Sequence, residues 1–278
     1  MKKQFIYLSL VAAISFTACN DEPAKTEPEA EVKPVEVKIK EDNVTYKLDT
    51  LNMSGFIAYD ENSDKKRPAV LVIHEWWGLN DYTKRRAKQL AELGYIAMAI
   101  DLYGNGKQAD NPGDAGKLAG AFYGSPQTAK ARFDAALAKL KEYSQVDTSN
   151  IAVIGYCFGG SMALNIAKLG ENLKGVVSFH GNLAGVPANK DLLKASVLVC
   201  HGEADSFVKP EEVAQFKKQM DSIKADFTFK SYPGATHAFT NPEATEKGKK
   251  FNIPIAYNAA ADSASWNDMK EFFGKVLR

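Results

Sequence analysis

Cysteine is scarce in this chain. Only Cys19, Cys157 and Cys200 occur in 278 residues, too few and too scattered for a disulfide scaffold, and no C-x-x-C pair offers a dithiol redox motif. An excess of one charge is missing too. Lys+Arg 35 against Asp+Glu 34 leave a formal charge of +1, with no basic block or aromatic-interleaved patch, so no nucleic-acid partner is expected. No internal repeat marks a solenoid or propeller. His74-Glu75 opens like the zinc motif H-E-x-x-H, but position 78 is Gly, so no metal is expected there. What remains is ordinary for a folded domain: 45% hydrophobic and 25% charged residues, in a chain able to bury one large core or two small ones.

The N-terminus reads as targeting rather than fold. Lys2 and Lys3 precede an apolar run from Phe5 to Phe16, closed by Thr17-Ala18-Cys19. That run is too short to span a bilayer comfortably and ends in small residues at a cleavage point. The segment resembles a bacterial lipoprotein signal, which implies removal of residues 1–18, lipidation at Cys19 and a place in the cell envelope, facing periplasm or cell surface. Residues 19–42 are rich in Glu, Lys, Pro and Ala. They hold too little apolar surface to offset the entropy of ordering, as expected of a tether. Residues 43–278 are the expected folded domain.

In that domain, Val44–Leu48 and Met53–Tyr59 predict an antiparallel hairpin around Asn52. Ala69–His74, Tyr95–Ile100, Ile151–Gly155, Gly175–His180 and Ala195–His201 are short apolar runs suited to strands buried on both faces. Asp226–Tyr232 adds one more. Between them, apolar spacing predicts helices over Asp81–Leu93, Pro126–Tyr143, Glu211–Ile223 and, at the end, Ser263–Leu277. Residues 103–125 are glycine-rich and loosely patterned, and predict a long loop that shapes a pocket. Alternating strands and helices imply an α/β fold, a mostly parallel sheet with helices on both faces. Ligands of such sheets sit beyond the carboxyl ends of the strands.

The segment Ile151-Ala-Val-Ile-Gly-Tyr-Cys-Phe-Gly-Gly-Ser161 carries the chemistry. A strand, one sharp turn and a helix form the setting of the nucleophile elbow G-x-S-x-G, here with cysteine in the serine position. The central residue must be strained, so its glycine flanks let strand and helix pass closely. At a helix N-terminus the dipole favours thiolate. Four histidines compete as base. His74, His180 and His201 end strands, whereas His237 lies in a turn-rich loop after the last strand and stands last in the chain. Elbow enzymes run nucleophile, acid, histidine. Asp205, four residues past a strand, fits the acid, and Glu203 is its rival.

From about Val44 onward the chain resembles the dienelactone hydrolase family of α/β-hydrolases. The resemblance is carried by His74-Glu75-Trp76-Trp77-Gly78, Asp101-Leu-Tyr103, Gly155-Tyr-Cys-Phe-Gly-Gly160, His201-Gly-Glu-Ala-Asp205 and Gly234-Ala-Thr-His-Ala-Phe239. It implies a triad of Cys157, His237 and Asp205, with Glu75 holding the thiol at rest and moving when substrate binds. It also implies an oxyanion hole from the backbone N–H groups of Trp76 and Phe158. Where dienelactone hydrolase proper uses two arginines to hold a substrate carboxylate, this chain has Asn105 and Asn241. Neither can form a bidentate clamp, so the chemistry is expected to carry over and the substrate is not. Trp77, Tyr103, Asn105, Tyr123, Phe239 and Asn241 are expected around the substrate.

The expected activity is hydrolysis of a small-molecule ester or lactone through a thioester, without cofactor, by a monomer or small homo-oligomer. Two other classes are set beside it: a lipid-anchored ligand-binding protein without turnover, and a redox pair of Cys157 and Cys200.

Overall fold

A computed structural model describes residues 37–278. The expected signal segment, Cys19 and most of the tether lie outside the described residues. The apolar runs assemble into one eight-stranded sheet of order β1-β2-β4-β3-β5-β6-β7-β8. β1 (Ile39–Leu48) and β2 (Leu51–Asp60) pair antiparallel, and β2 runs antiparallel to β4 (Ile96–Ile100). The other strands are parallel: β3 (Arg67–Ile73), β5 (Val146–Tyr156), β6 (Gly175–Phe179), β7 (Ser196–Gly202) and β8 (Phe227–Tyr232). From β3 the chain steps to β4 on one side, then returns to place β5 on the other. That reversal opens a crevice at the carboxyl ends of β3 and β5.

Among the described residues seven helices accompany the sheet: α1 (Asp81–Glu92), α2 (Pro112–Tyr123), α3 (Pro126–Leu140), α4 (Phe158–Lys168), α5 (Pro210–Ser222), α6 (Ala244–Phe251) and α7 (Ala259–Val276). Strand residues alternate between two cores, as a period of two requires. Leu71, Ile73 and Val153 join Phe133 of α3, Met162 and Ile166 of α4, and Phe216 of α5. Val70, Val72 and Ile154 join Leu90 of α1 and Met269 and Phe273 of α7. Each such fully buried large side chain contributes about 1.5–3 kcal/mol. The aromatic stripe of the last helix is thus core, as its spacing predicts.

Arg86 of α1 ties three parts of this framework together. Its guanidinium donates to the Thr240 carbonyl (2.7 Å) and to the Asp262 carboxylate of α7, and packs over the rings of Tyr82, Tyr156 and Trp266. A charge buried this deeply is tolerated because it is paired and hydrogen-bonded.

Four expectations need correction. The first hairpin turns at Asp49-Thr50 rather than around Asn52, which pairs with Lys47 inside the ladder. Asp49 takes the left-handed backbone (φ +52) such a tight turn favours. β1 begins at Ile39, not Val44, so the folded body starts inside the stretch assigned to the tether. Its Lys40, Glu41 and Asp42 are polar because the strand lies on the sheet edge. β5 likewise starts early, at Val146. Residues 103–125 are not all loop: they contain α2, capped by Asn111, whose side chain accepts from the Asp114 N–H at 3.0 Å. Among the described residues no helix is long and apolar enough to cross a membrane.

Candidate active site

The elbow is built by exclusion. Cys157 sits between β5 and α4 at φ +53, ψ −117, a backbone conformation costly for a side-chain-bearing residue. A Cβ on Gly155 would lie 2.0 Å from the Gly159 carbonyl oxygen. One on Gly159 would lie 2.3 Å from that of Ile73. Only glycine lets the first turn of α4 rest on the ends of β5 and β3. The strain is held from behind, where the Cys157 N–H points at both the Phe179 carbonyl (2.9 Å) and Nδ1 of His180 (3.1 Å).

His237 comes from the loop after β8, and its two ring nitrogens are both engaged. Nδ1 lies 2.8 Å from Oδ2 of Asp205, and Nε2 lies 3.0 Å from Sγ of Cys157. Asp205 follows β7, is buried, and has its other oxygen held by the Phe207 N–H at 2.9 Å. Its rival Glu203 is exposed. Burial alone would lower the His237 pKa. The facing Cys157 sulfur and the Asp205 carboxylate more than reverse that, and it is pushed up to about 10. The Cys157 sulfur and the Asp205 carboxylate thus favour the protonated form of the imidazole.

The other three histidines are committed elsewhere. Nε2 of His74 accepts from the Leu102 N–H (3.2 Å), so its Nδ1–H donates to the Glu75 carbonyl (2.5 Å). Nδ1 of His180 accepts from Cys157, so its Nε2–H donates to Oγ1 of Thr240 at 2.7 Å. Burial holds both well towards the neutral form. His201 packs against Phe229 and is lowered by burial. Cys200 is fully buried in β7 beside the Tyr232 hydroxyl, and both Cys157 and Cys200 are free thiols, so no disulfide joins them.

Glu75 departs from what the resemblance implies. Its carboxylate accepts from Nδ2 of Asn241 at 2.6 Å, while the thiol's hydrogen bond goes to His237. Burial raises the Glu75 pKa, with the Asn241 amide opposing. Trp76 and Phe158 stand where expected, one just past β3 and one as the first residue of α4. The Phe158 N–H is thus among the helix's leading donors, which have no intrahelical acceptor.

A cavity of about 370 Å³ opens over Cys157, His237 and Glu75. Trp77 and Tyr123 line it as expected; Tyr103, Asn105, Phe239 and Asn241 do not. Tyr103 is buried behind the wall, donating to the Trp76 carbonyl at 2.9 Å and packing on Phe158. Asn105 is exposed at φ +56 in its own turn. Phe239 lies under His180 and Tyr232. Asn241 spends its amide on Glu75. Asn182, Ala184, Phe207 and Ile255, unforeseen in the sequence, complete the wall with Gly116 and Ala119 of α2.

The dienelactone hydrolase family matches this chain over residues 53–277, which takes in every residue of the site. The chain belongs to that family. Among its relatives, a protein of Aquifex aeolicus provisionally named carboxymethylenebutenolidase is 32% identical over 240 residues, covering 84% of this chain and 98% of its own. Protein usf of Aquifex pyrophilus is 30% identical, covering 81% and 100%. Among solved structures, a dienelactone hydrolase-like promiscuous phosphotriesterase from metagenomic libraries is 33% identical. It covers 86% of this chain and 99% of its own, with a TM-score of 0.80. This dienelactone hydrolase-family protein is accordingly an α/β-hydrolase acting on bonds of the ester and lactone type.

Sequence reasoning missed the support behind the hydrolase's elbow. Oγ1 of Thr240 joins Nε2 of His180 to the Tyr82 hydroxyl (2.7 Å each), and Arg86 closes the series onto Tyr82 and the Thr240 carbonyl. Threonine, tyrosine and arginine in ordinary helical and loop positions carry no signal of this. Only the tertiary meeting of α1 with the His237 loop reveals it.

Proposed function

We propose that the protein hydrolyses a small-molecule ester or lactone with Cys157 as nucleophile, His237 as acid and base, and Asp205 as the group orienting the imidazole. One observation carries this reading: the unbroken series Asp205–His237–Cys157, at 2.8 and 3.0 Å, opening onto a cavity. The thiolate of a Cys157–His237 ion pair attacks the carbonyl carbon. The oxyanion that forms takes hydrogen bonds from the Trp76 and Phe158 N–H groups, each worth about 3–4 kcal/mol in comparable sites. His237 gives its proton to the departing alkoxide. A water, deprotonated by the now neutral His237, then cleaves the thioester, and the thiolate leaves. Asp205 keeps the proton on Nδ1 and balances the imidazolium charge at each passage.

Steady-state assay of a small aryl ester with the full chain tests the proposal. Cys157→Ala should lose turnover to background with an unchanged circular-dichroism spectrum, and the wild type should give a burst of phenolate and a mass increment on Cys157 equal to the acyl group. Unaltered turnover in Cys157→Ala would sink the reading.

The segment ending at Ala18-Cys19 supports a second proposal, that the enzyme is lipid-anchored at Cys19 in a bacterial cell envelope. Membrane fractionation of Cys19→Ser tests it.

A further inference from the structure

We infer that the cavity selects uncharged, largely apolar esters or lactones and rejects substrates that carry a carboxylate. The inference takes the cavity over Cys157 as the substrate site and so rests on the hydrolase reading. Its physical basis is the wall. Trp76, Trp77, Tyr123, Phe207 and Ile255 surround a space of about 370 Å³, and small residues of α2, Gly116 and Ala119, make room beneath them. Gly116, Ala119 and Tyr123 are spaced by three and four, so one face of α2 is turned to the cavity. At the entrance, Tyr123 and Phe207 are 44% and 40% exposed, two of five large apolar side chains so placed among the described residues. An apolar rim leading to an apolar wall favours a ligand with a hydrocarbon or aryl body.

Charge decides the rest. No lysine or arginine is among the described residues that line the cavity. Lys247 comes near, but it lies over the Trp77 ring and lines a neighbouring cleft instead. The His237 ring in the wall already has both nitrogens engaged, by Asp205 and Cys157. Asn241, which could offer an amide, donates it to Glu75. The Asn182 amide in the wall reaches towards the Phe207 carbonyl at 3.4 Å, so a carboxylate entering here would give up its hydration without gaining a cation, beside the carboxyl group of Glu75. An uncharged ester of the same size loses nothing comparable.

A matched pair of substrates reads this directly. In mono-4-nitrophenyl adipate and 4-nitrophenyl 6-methylheptanoate, a terminal carboxylate and an isopropyl group of similar size occupy the same place. With the full chain in detergent, and spontaneous hydrolysis subtracted, kcat/KM for the neutral ester should exceed that for the adipate by about 100-fold or more. A ratio within about threefold of unity, or a preference for the adipate, overturns the inference.

Calorimetric titration of Cys157→Ala with the same two esters separates selectivity from chemistry. The neutral ester should bind at least about tenfold more tightly. That result with no turnover by the wild type would discard the hydrolase reading and keep the selectivity. Equal hydrolysis of both esters would do the reverse. Absence of binding by the neutral ester overturns the inference outright. Ala184→Arg supplies a cation at the exposed edge of the wall and should narrow the kinetic ratio by about tenfold. An unchanged ratio in that variant, folded as judged by circular dichroism, counts against it.

Discussion

His237 holds a proton that a free imidazole would surrender near neutrality, because the Cys157 sulfur and the Asp205 carboxylate face its two nitrogens. Two pH effects follow. In catalysis, kcat/KM should stay level through neutral pH and fall only as pH approaches about 10, where the imidazolium is lost. In stability the sign is fixed by the raised native pKa. Between about 6.5 and about 10 the native state keeps a proton that the unfolded state has released, so stability from this residue falls as pH rises through that window and is fully present below it. Urea midpoints for wild type and His237→Gln, compared at the two ends of the window, should show the wild-type advantage shrinking towards alkaline pH. An advantage that grew with pH would refute the charge assignment. The members of the Asp205–His237–Cys157 hydrogen-bonded series were legible in the sequence because each follows a strand and the three keep a fixed chain order. The partner of Glu75 was not, since Asn241 lies 166 positions away and only its side-chain rotamer commits it.

At the scale of elements, the elbow and α2 teach opposite lessons. The elbow was legible because its glycines answer to backbone collisions that no neighbouring side chain can relieve. Gly159→Ala should therefore destabilise the protein by about 3 kcal/mol, the upper end for overpacking, since Cβ would meet the carbonyl oxygens of Ile73 and His74 at 2.3 and 2.6 Å. Thermal denaturation checks it, and a melting temperature within a degree or so of wild type would contradict it. α2 was hidden because Gly113, Gly116 and Gly120 depress its helix propensity. A signal was nonetheless present: Asn111-Pro112 is a cap followed by a preferred first helical residue, and Ala115, Ala119 and Phe122 mark a buried face. One of these glycines, Gly116, also lines the cavity. β1 was shortened in the reading for a different reason. Lys40, Glu41 and Asp42 look like tether, but an edge strand exposes alternate residues and tolerates charge.

For the whole molecule, the direction reversal at β3 gathers residues from distant parts of the chain at one end of the sheet. Among the described residues, every side chain of the site lies between Glu75 and Ile255. Cys19→Ser should accordingly move the protein from the membrane to the soluble fraction while leaving kcat/KM of the released enzyme within about twofold of wild type. Retention in the membrane fraction would refute the anchor. The two cysteines of the described body are placed very unequally: Cys200 is sealed in the middle of the sheet, whereas Cys157 faces an open cavity. One equivalent of an alkylating reagent therefore amounts to a census of competent molecules, and any sample can be standardised by its working sites rather than its mass.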